Sequence, residues 1–406
     1  MRIVGSSLIV PFYRFQGLKI VDFIYLPDQI KRSEFVQKFP GRMIVLLLVV
    51  SCASTEPRQA YQVSEGTFNS ILHYFNVSPE SPDGRWVVYS RFQDVPLRSG
   101  GPAPAKLVLY DRDLDVHRII SATYLVDAHA GLAPIWLDNE TVAYSTPEDQ
   151  STHILSIRTG DEQVYTGGRI HSYSPQTGKL LMTPTGAGEL AKGLYTMDRN
   201  GATDKLFDMS DIEPFTPFGE RQQFPFELSD GWSFGHPYWS PDGRQVAFCI
   251  TLHDGDWKIV FIADADGDNL RSWRTDVKKP MHWHWFDNES LVGHDDMLEK
   301  DKLMRRWDLS GNTLGTVAGY GCHGDVSPDG RWVATEDWYN SDPVRLYLYP
   351  VGSTVATDTL VVQQEHWDHS HMHPAFSFNS ERVYFNYNVP GDNTVRLYCV
   401  DMDAYR

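Results

Sequence analysis

The sequence is poor in cysteine, with four such residues in 406: Cys52, Cys249, Cys322 and Cys399. No Cys-x-x-Cys pair occurs, which argues against a zinc ribbon or a dithiol redox centre. Four cysteines in a chain of this length are also too few for a fold held together by disulfides. The fold must therefore rest on a buried apolar core.

Positive charge is also in short supply. The chain has 36 Lys and Arg against 53 Asp and Glu, a net charge of −17. No basic face of the strength that nucleic acid requires is available, which argues against nucleic acid as a partner. An anionic small substrate is still possible, provided that Arg, Lys, protonated His or a metal ion gathers locally. Because 41% of the residues are hydrophobic and 13% aromatic, the chain is rich enough in apolar residues for a sizeable core.

Long apolar runs are missing as well. The run Met43–Val50 is far shorter than the roughly 18–20 residues of a membrane span. It follows Arg42 and precedes a Ser-Cys-Ala sequence that resembles a bacterial lipobox, in which Cys52 would be lipidated after cleavage. We therefore expect a targeting segment and linker over 1–57, and an exported domain, periplasmic or anchored to the membrane as a lipoprotein, over 58–406. The alternative is that the run is a buried strand.

One short motif recurs along the chain. Three copies share Ser-Pro-Asp-Gly-Arg followed by an alternating apolar segment, and they begin at Ser81, Ser240 and Ser327. Four weaker copies begin at Trp136, Ser174, Trp285 and Ser377. Pro-Asp-Gly favours a tight turn between two antiparallel strands. The spacing of roughly 40–65 residues is typical of four-stranded propeller blades.

Seven copies predict an all-β fold, a seven-bladed β-propeller. We expect the blades at roughly 69–122, 123–166, 167–213, 234–277, 278–318, 319–364 and 365–402. The last of these segments has only three evident strands. We therefore expect the segment near Arg58–Val63 to close the ring by adding a strand to the last blade.

Histidine is concentrated late in the chain, where eight of the fifteen lie between His282 and His373. Blades four to seven each carry histidine just ahead of the repeat motif: His236, His282 with His284, His323 and His373. Equivalent positions of successive blades meet at one end of a propeller's channel, so these rings should converge. If residues 369–373 form a strand, His369, His371 and His373 share one face. Convergence favours a metal or catalytic site, and the alternative is a set of structural histidines bonded to the backbone.

These residues resemble the oligogalacturonate lyases, propeller enzymes that cut short pectin fragments by β-elimination. The likeness extends over 69–402 in blade order. Its most specific parts are Tyr74-Phe75, Gly235-His236-Pro237-Tyr238, His253-Asp254, His282-Trp283-His284-Trp285 and the segment from Asp368 through His371, His373 and Phe376.

The resemblance implies a role for each of ten residues. Manganese, or another divalent metal, would be bound by His323, Asp368, His371 and His373. His282 would be the base, with His236 and Lys258 positioning the sugar, while Tyr74, His253 and His284 would contact an acidic oligosaccharide. Three residues depart from the family: Asp368 replaces a Gln, Trp283 replaces a Glu, and Ile259 beside Lys258 stands near the place of an Arg.

Because Lys offers charge but no bidentate fork to a carboxylate, other readings stay open. One is a lyase acting on a different polyuronate, such as ulvan. Another is a non-catalytic propeller of the TolB type that serves as a periplasmic binding or scaffold protein, since propellers host many functions.

Overall fold

The computed structural model is built almost entirely of antiparallel strands. It describes residues 60–93, 103–125, 128–146, 151–183, 193–212, 232–252, 258–275, 281–295, 303–338, 341–363, 371–391 and 394–405. The predicted lipidation site Cys52 and the predicted domain boundary at residue 57 lie outside these residues. Among the residues described, none of the helices has the length and apolar character needed to cross a bilayer.

The strands form seven sheets of four strands each, so the predicted seven-bladed β-propeller is confirmed. Blade one consists of β2 (Asn69–Ile71), β3 (Trp86–Phe92), β4 (Ala103–Asp111) and β5 (Val116–Leu125). Blade two consists of β6 (Ile135–Trp136), β7 (Thr141–Thr146), β8 (Ser151–Ser156) and β9 (Glu162–Thr166). Blade three consists of β10 (Arg169–Ser174), β11 (Lys179–Thr183), β12 (Gly193–Asp198) and β13 (Thr203–Asp208), followed by the short helix α1 (Met209–Ile212).

The remaining blades repeat this plan. Blade four consists of β14 (Trp232–Trp239), β15 (Gln245–Leu252), β16 (Lys258–Asp264) and β17 (Arg271–Trp273). Blade five consists of β18 (Met281–Asp287), β19 (Ser290–His294), β20 (Met304–Asp308) and β21 (Thr313–Ala318). Blade six consists of β22 (Gly324–Val326), β23 (Trp332–Glu336), β24 (Val344–Pro350) and β25 (Asp358–Gln363). Blade seven consists of β26 (Ala375–Phe376), β27 (Arg382–Val389), β28 (Thr394–Asp401) and β1 (Tyr61–Gln62), and a 3-10 helix (Asp403–Tyr405) follows.

The repeat motif forms the first hairpin turn of its blade. In blade one the Ser81 hydroxyl donates to Asp83 Oδ1 at 2.6 Å and accepts the Trp86 amide at 2.9 Å. Gly84 takes the left-handed conformation at φ 81°, which costs glycine little. The copies at Ser240 and Ser327 make the same pair of bonds. The local sequence therefore specifies the turn, as predicted.

Tryptophans of the motif tie neighbouring blades together. The indole of Trp136 in blade two donates to the carbonyl of Pro79 in blade one at 2.8 Å. The indole of Trp285 in blade five donates in the same way to Tyr238 of blade four at 3.0 Å. Both side chains are also part of apolar clusters that join neighbouring blades. These residues are therefore structural contacts between blades.

The ring closes as predicted, by addition of an N-terminal strand to the last blade. Tyr61 pairs with Cys399, and the amide of Val63 donates to the carbonyl of Leu397 at 2.8 Å. An ion pair spans the same junction, where the half-buried Arg382 of blade seven lies 3.1 Å from the buried Glu80 of blade one.

Candidate metal centre in the central channel

A shared backbone irregularity aims the channel histidines. His236, His282 and His373 take left-handed conformations with φ of 48°, 48° and 49°, which non-glycine residues adopt uncommonly. The pairing register of the first strand shifts around His236 and around His282, as at a β-bulge that re-aims a side chain. The strand expected for residues 369–373 is wrong at its described end: His371 and His373 precede β26 and lie outside any strand, and His373 takes the left-handed conformation.

Three histidines from two blades surround one point. The ring centroid of His323 lies 4.8 Å from that of His371 and 4.6 Å from that of His373. The Nδ1 atoms of His323 and His371 are 3.3 Å apart. One ring nitrogen from each of the three lies within 4.8 Å of the other two. Three of the four residues expected to bind the metal therefore lie together, and the fourth, Asp368, lies outside the described residues.

The chemistry of these rings fits a divalent cation. His373 is fully buried, and neither of its ring nitrogens has a hydrogen-bond partner among the described residues. An unsatisfied buried polar group costs about 1–3 kcal/mol, and coordination of a cation removes that cost. Burial, reinforced by neighbouring imidazoles, lowers the pKa of both His323 and His373 well below the usual value. Both rings are then neutral at neutral pH, the form that binds metals.

Glu336 is a buried carboxyl that holds two parts of the centre. It contacts Nδ1 of His323, and its other oxygen accepts the amide of Met372 at 2.6 Å. Burial raises the pKa of Glu336 well above its usual value. A carboxylate that accepts from Nδ1 fixes the imidazole proton there and leaves the other ring nitrogen for a cation, a common arrangement behind metal-binding histidines.

His282 lies beside this group. Its ring centroid is 3.9 Å from that of His323, and its Nδ1 lies 2.9 Å from the carbonyl oxygen of Cys322. A carbonyl only accepts, so Nδ1 carries a proton and Nε2 carries the lone pair. His236 stands further out, with its ring 6.3 Å from His282 and 5.7 Å from Tyr74.

His284 faces away from the cluster. Its ring nitrogens lie 3.1 Å from the carbonyls of Trp285 and Gly324. It lines a separate cavity of about 520 Å³ at the channel end where the hairpin turns lie. The ring of Phe75 contacts both His323 and His284, at 5.3 and 6.0 Å. A role for His284 in substrate binding stays a prediction.

For the predicted residue Lys258 the structure describes only the backbone, and the predicted residue His253 lies outside the described residues. The backbone of Lys258 opens β16 and pairs with Thr251 of β15.

Tyr74, a predicted residue, lies against the cluster. Its ring contacts His373 at 4.5 Å, and burial raises the pKa of its hydroxyl well above the usual value.

Two other residues of the channel, His129 and Arg169, were not predicted from the sequence. The ring of His129 lies 4.5 Å from His373 and 5.1 Å from His371. Arg169, at the start of β10, adds positive charge to the channel. Burial lowers the pKa of His73 to about 3, and the charge of Arg169 is the next largest contribution in the same direction.

The comparisons with known proteins agree with the fold. No protein-family model matches the chain, and no curated protein matches it. Among solved structures, the oligogalacturonate lyase of Vibrio parahaemolyticus is similar, with a TM-score of 0.66 at 16% identity over 87% of this chain and 96% of that chain. An oligogalacturonate lyase in complex with manganese gives a TM-score of 0.62 at 16% identity over 86% and 97%. The β-propeller domain of Cps50 (Swd1) from Myceliophteria thermophila gives 0.53 at 10% identity over 85% and 100%. Similarity at these identities supports the seven-bladed fold and a distant structural relationship.

Proposed function

We propose that this protein is a metal-dependent lyase that cleaves uronic-acid oligosaccharides by β-elimination. The observation that carries the proposal is the meeting of three buried or half-buried imidazoles, those of His323, His371 and His373, around one point next to Tyr74 and His282. A structural role for these rings would give their nitrogens backbone partners, as His284 has. The buried nitrogens of His373 have none among the described residues.

The reaction needs the proton at C5 of a uronate to become acidic. Mn²⁺ or another divalent ion, held by His323, His371 and His373 with Asp368 as the expected fourth residue, would stabilise the negative charge that develops on the neighbouring carboxylate. Arg169 adds a fixed positive charge to the same channel. Arg169 of blade three is proposed to supply the guanidinium in place of the Arg that, by the family resemblance, is replaced near Lys258 and Ile259 of blade four.

His282 is the proposed base. Its Nδ1 is held by the Cys322 carbonyl, so Nε2 has the lone pair that accepts the C5 proton. The bond from C4 to the glycosidic oxygen then breaks, its electron pair leaves with that oxygen, and a C4–C5 double bond forms. Tyr74 keeps its hydroxyl proton at working pH, since burial raises its pKa, and donates a hydrogen bond to the sugar. His236 and Lys258 are proposed to position the sugar, with His253 and His284 as further contacts.

A substrate panel tests this proposal. The protein, purified without a histidine tag and loaded with Mn²⁺, is incubated with oligogalacturonate, with ulvan fragments and with a neutral oligosaccharide. We expect ultraviolet absorbance to rise with an unsaturated product from one of the two acidic substrates, and not from the neutral one. His282→Asn should abolish the rise, whereas His117→Asn, on an outer strand of blade one, should leave it unchanged. No rise with either acidic substrate refutes the lyase assignment and favours a non-catalytic binding propeller.

We also propose that the protein is exported and anchored through a lipid at Cys52. The support is the short apolar run and the lipobox-like sequence ahead of that residue. Mass spectrometry of the protein from its native membrane fraction tests this, since a chain that begins with lipidated Cys52 is expected and an intact Met1 would refute it.

A further inference from the structure

A second set of metal-binding side chains overlaps the first. His282, Cys322 and His323 each place one donor atom within 4.8 Å of the other two. The sulfur of Cys322 lies 3.8 Å from Nδ1 of His282, and Cys322 is 1% exposed. This set differs from the one formed by His323, His371 and His373 in containing a thiol.

The thiol changes which ion the set prefers. Thiolate ligands favour zinc and other thiophilic ions, whereas the carboxylate of Asp368, expected as the fourth ligand of the first set, suits a harder ion such as manganese. In tetrahedral zinc sites the Zn–S and Zn–N distances of about 2.3 and 2.0–2.1 Å place the donors roughly 3.4–3.6 Å apart. The Cys322 sulfur and Nδ1 of His282, 3.8 Å apart, are already near this separation, and all three donor atoms lie within 4.8 Å of one another. For Nδ1 of His282 to bind zinc, its proton moves to Nε2 and its hydrogen bond to the Cys322 carbonyl breaks.

We propose that Zn²⁺ binds in the channel to His282, Cys322 and His323, and that the thiol releases its proton to solvent as it binds. The other two described cysteines are not placed for this role. Cys249 directs its sulfur to the carbonyl of Gly235 at 3.2 Å, and Cys399 lies in the ring-closing blade opposite Tyr61. Neither belongs to a metal-binding group in the part of the chain that the structure describes.

The two sets exclude each other because they share His323. Zinc bound to His282, Cys322 and His323 would deprive the activating metal of its ligand His323. It would also occupy His282, the proposed base. Resting on the proposed function, this geometry makes zinc an inhibitor of the lyase, competitive with the activating metal.

Cobalt(II) is the probe for the thiol set, because it replaces zinc and gives a near-ultraviolet charge-transfer band only when a thiolate is bound to it. We expect the metal-free, untagged protein to develop this band on titration with Co²⁺, and Zn²⁺ to remove it. Cys322→Ser should abolish the band. Cys249→Ser and Cys399→Ser, which remove equally buried thiols, should keep it. A wild-type protein without the band, or a band that survives Cys322→Ser, overturns the proposal.

Zinc affinity gives an independent measurement. Competition with a chromophoric chelator should show Cys322→Ser weakened by more than the roughly 10–100-fold that loss of an outer-shell partner causes. Equal affinity in the wild type and Cys322→Ser overturns the proposal, and circular dichroism confirms that the variant is folded. Inhibition by zinc is compared with each variant's own uninhibited rate. Because cobalt and zinc binding are measured without turnover, they decide the metal site even when no substrate is cleaved.

Discussion

Replacement of His373 separates metal binding from folding. His373 is fully buried at φ 49°, so alanine there would add backbone strain to the loss of the imidazole. Asparagine tolerates the left-handed conformation better than most residues, which makes His373→Asn the informative change. We expect the variant to fold and to lose most of the stabilisation that the divalent ion provides.

The size of the effect follows from linkage. A metal that binds only the folded state at 100 times its dissociation constant stabilises that state by about 2.7 kcal/mol. If loss of His373 weakens binding about 100-fold, the same metal concentration gives only about 0.4 kcal/mol. The unfolding entropy of a domain of roughly 350 residues is about 0.7 kcal/mol per kelvin, so the lost 2.3 kcal/mol corresponds to about 3 °C.

Thermal unfolding with and without Mn²⁺ measures this difference. Wild type should gain about 4 °C in Tm with the metal and His373→Asn less than 1 °C. His117→Asn is the control, since His117 stacks on Tyr110 in an outer strand and its loss should leave the metal-induced gain intact. An equal gain in wild type and His373→Asn would refute the assignment of His373 as a ligand.

Two further changes test the surroundings of the centre, and a third tests the ring closure. Glu336→Gln should weaken Mn²⁺ binding about 10–100-fold, measured by calorimetry, because it disturbs the proton that orients His323; unchanged affinity would contradict this role. Arg169→Gln should raise KM for an acidic oligosaccharide about 10–100-fold, since a bond to a charged group is worth roughly 1.5–3 kcal/mol, with kcat less affected; an unaltered KM would exclude carboxylate binding by Arg169. Glu80→Ala should lower the free energy of unfolding in urea by about 1–3 kcal/mol, because it removes the buried acceptor of the Tyr384 hydroxyl at the ring closure. Arg382 keeps the carboxylates of Glu381 and Asp401, and a loss below about 1 kcal/mol would show that Glu80 is dispensable.

The fold was predictable because the sequence features that form its hairpin turns are local and recur along the chain. Each Ser-Pro-Asp-Gly copy contains the hydroxyl, carboxylate and glycine that build its own turn, as the bonds of Ser81 to Asp83 and Trp86 show. Seven copies then fix the number of blades without any knowledge of long-range contacts. The closing strand was predictable from the deficit of one strand in the last blade, which Tyr61–Gln62 fills.

The centre was predictable only as far as chain order follows ring order. Blades five, six and seven are neighbours both along the chain and around the ring. His282, His323 and His373 could therefore be predicted from their common position ahead of each motif. His129 has no such signal, because blade two carries Ala133, at φ 49°, as its left-handed residue. Glu336 sits in a second strand, and its meeting with His323 depends on the pairing of β22 with β23.

The left-handed conformation of Ala133 shows that this backbone position does not by itself indicate metal binding. Blades two, four, five and seven share the left-handed residue whether it is alanine or histidine, so the kink belongs to the propeller and not to a metal. A histidine at that place is directed into the channel by the backbone, and its position alone assigns no function. What distinguishes a metal centre is that neutral rings from adjacent blades meet there with buried nitrogens that no backbone group satisfies. His373 meets that condition among the described residues and His284 does not, which is why the metal is expected at one end of the channel and not at the other.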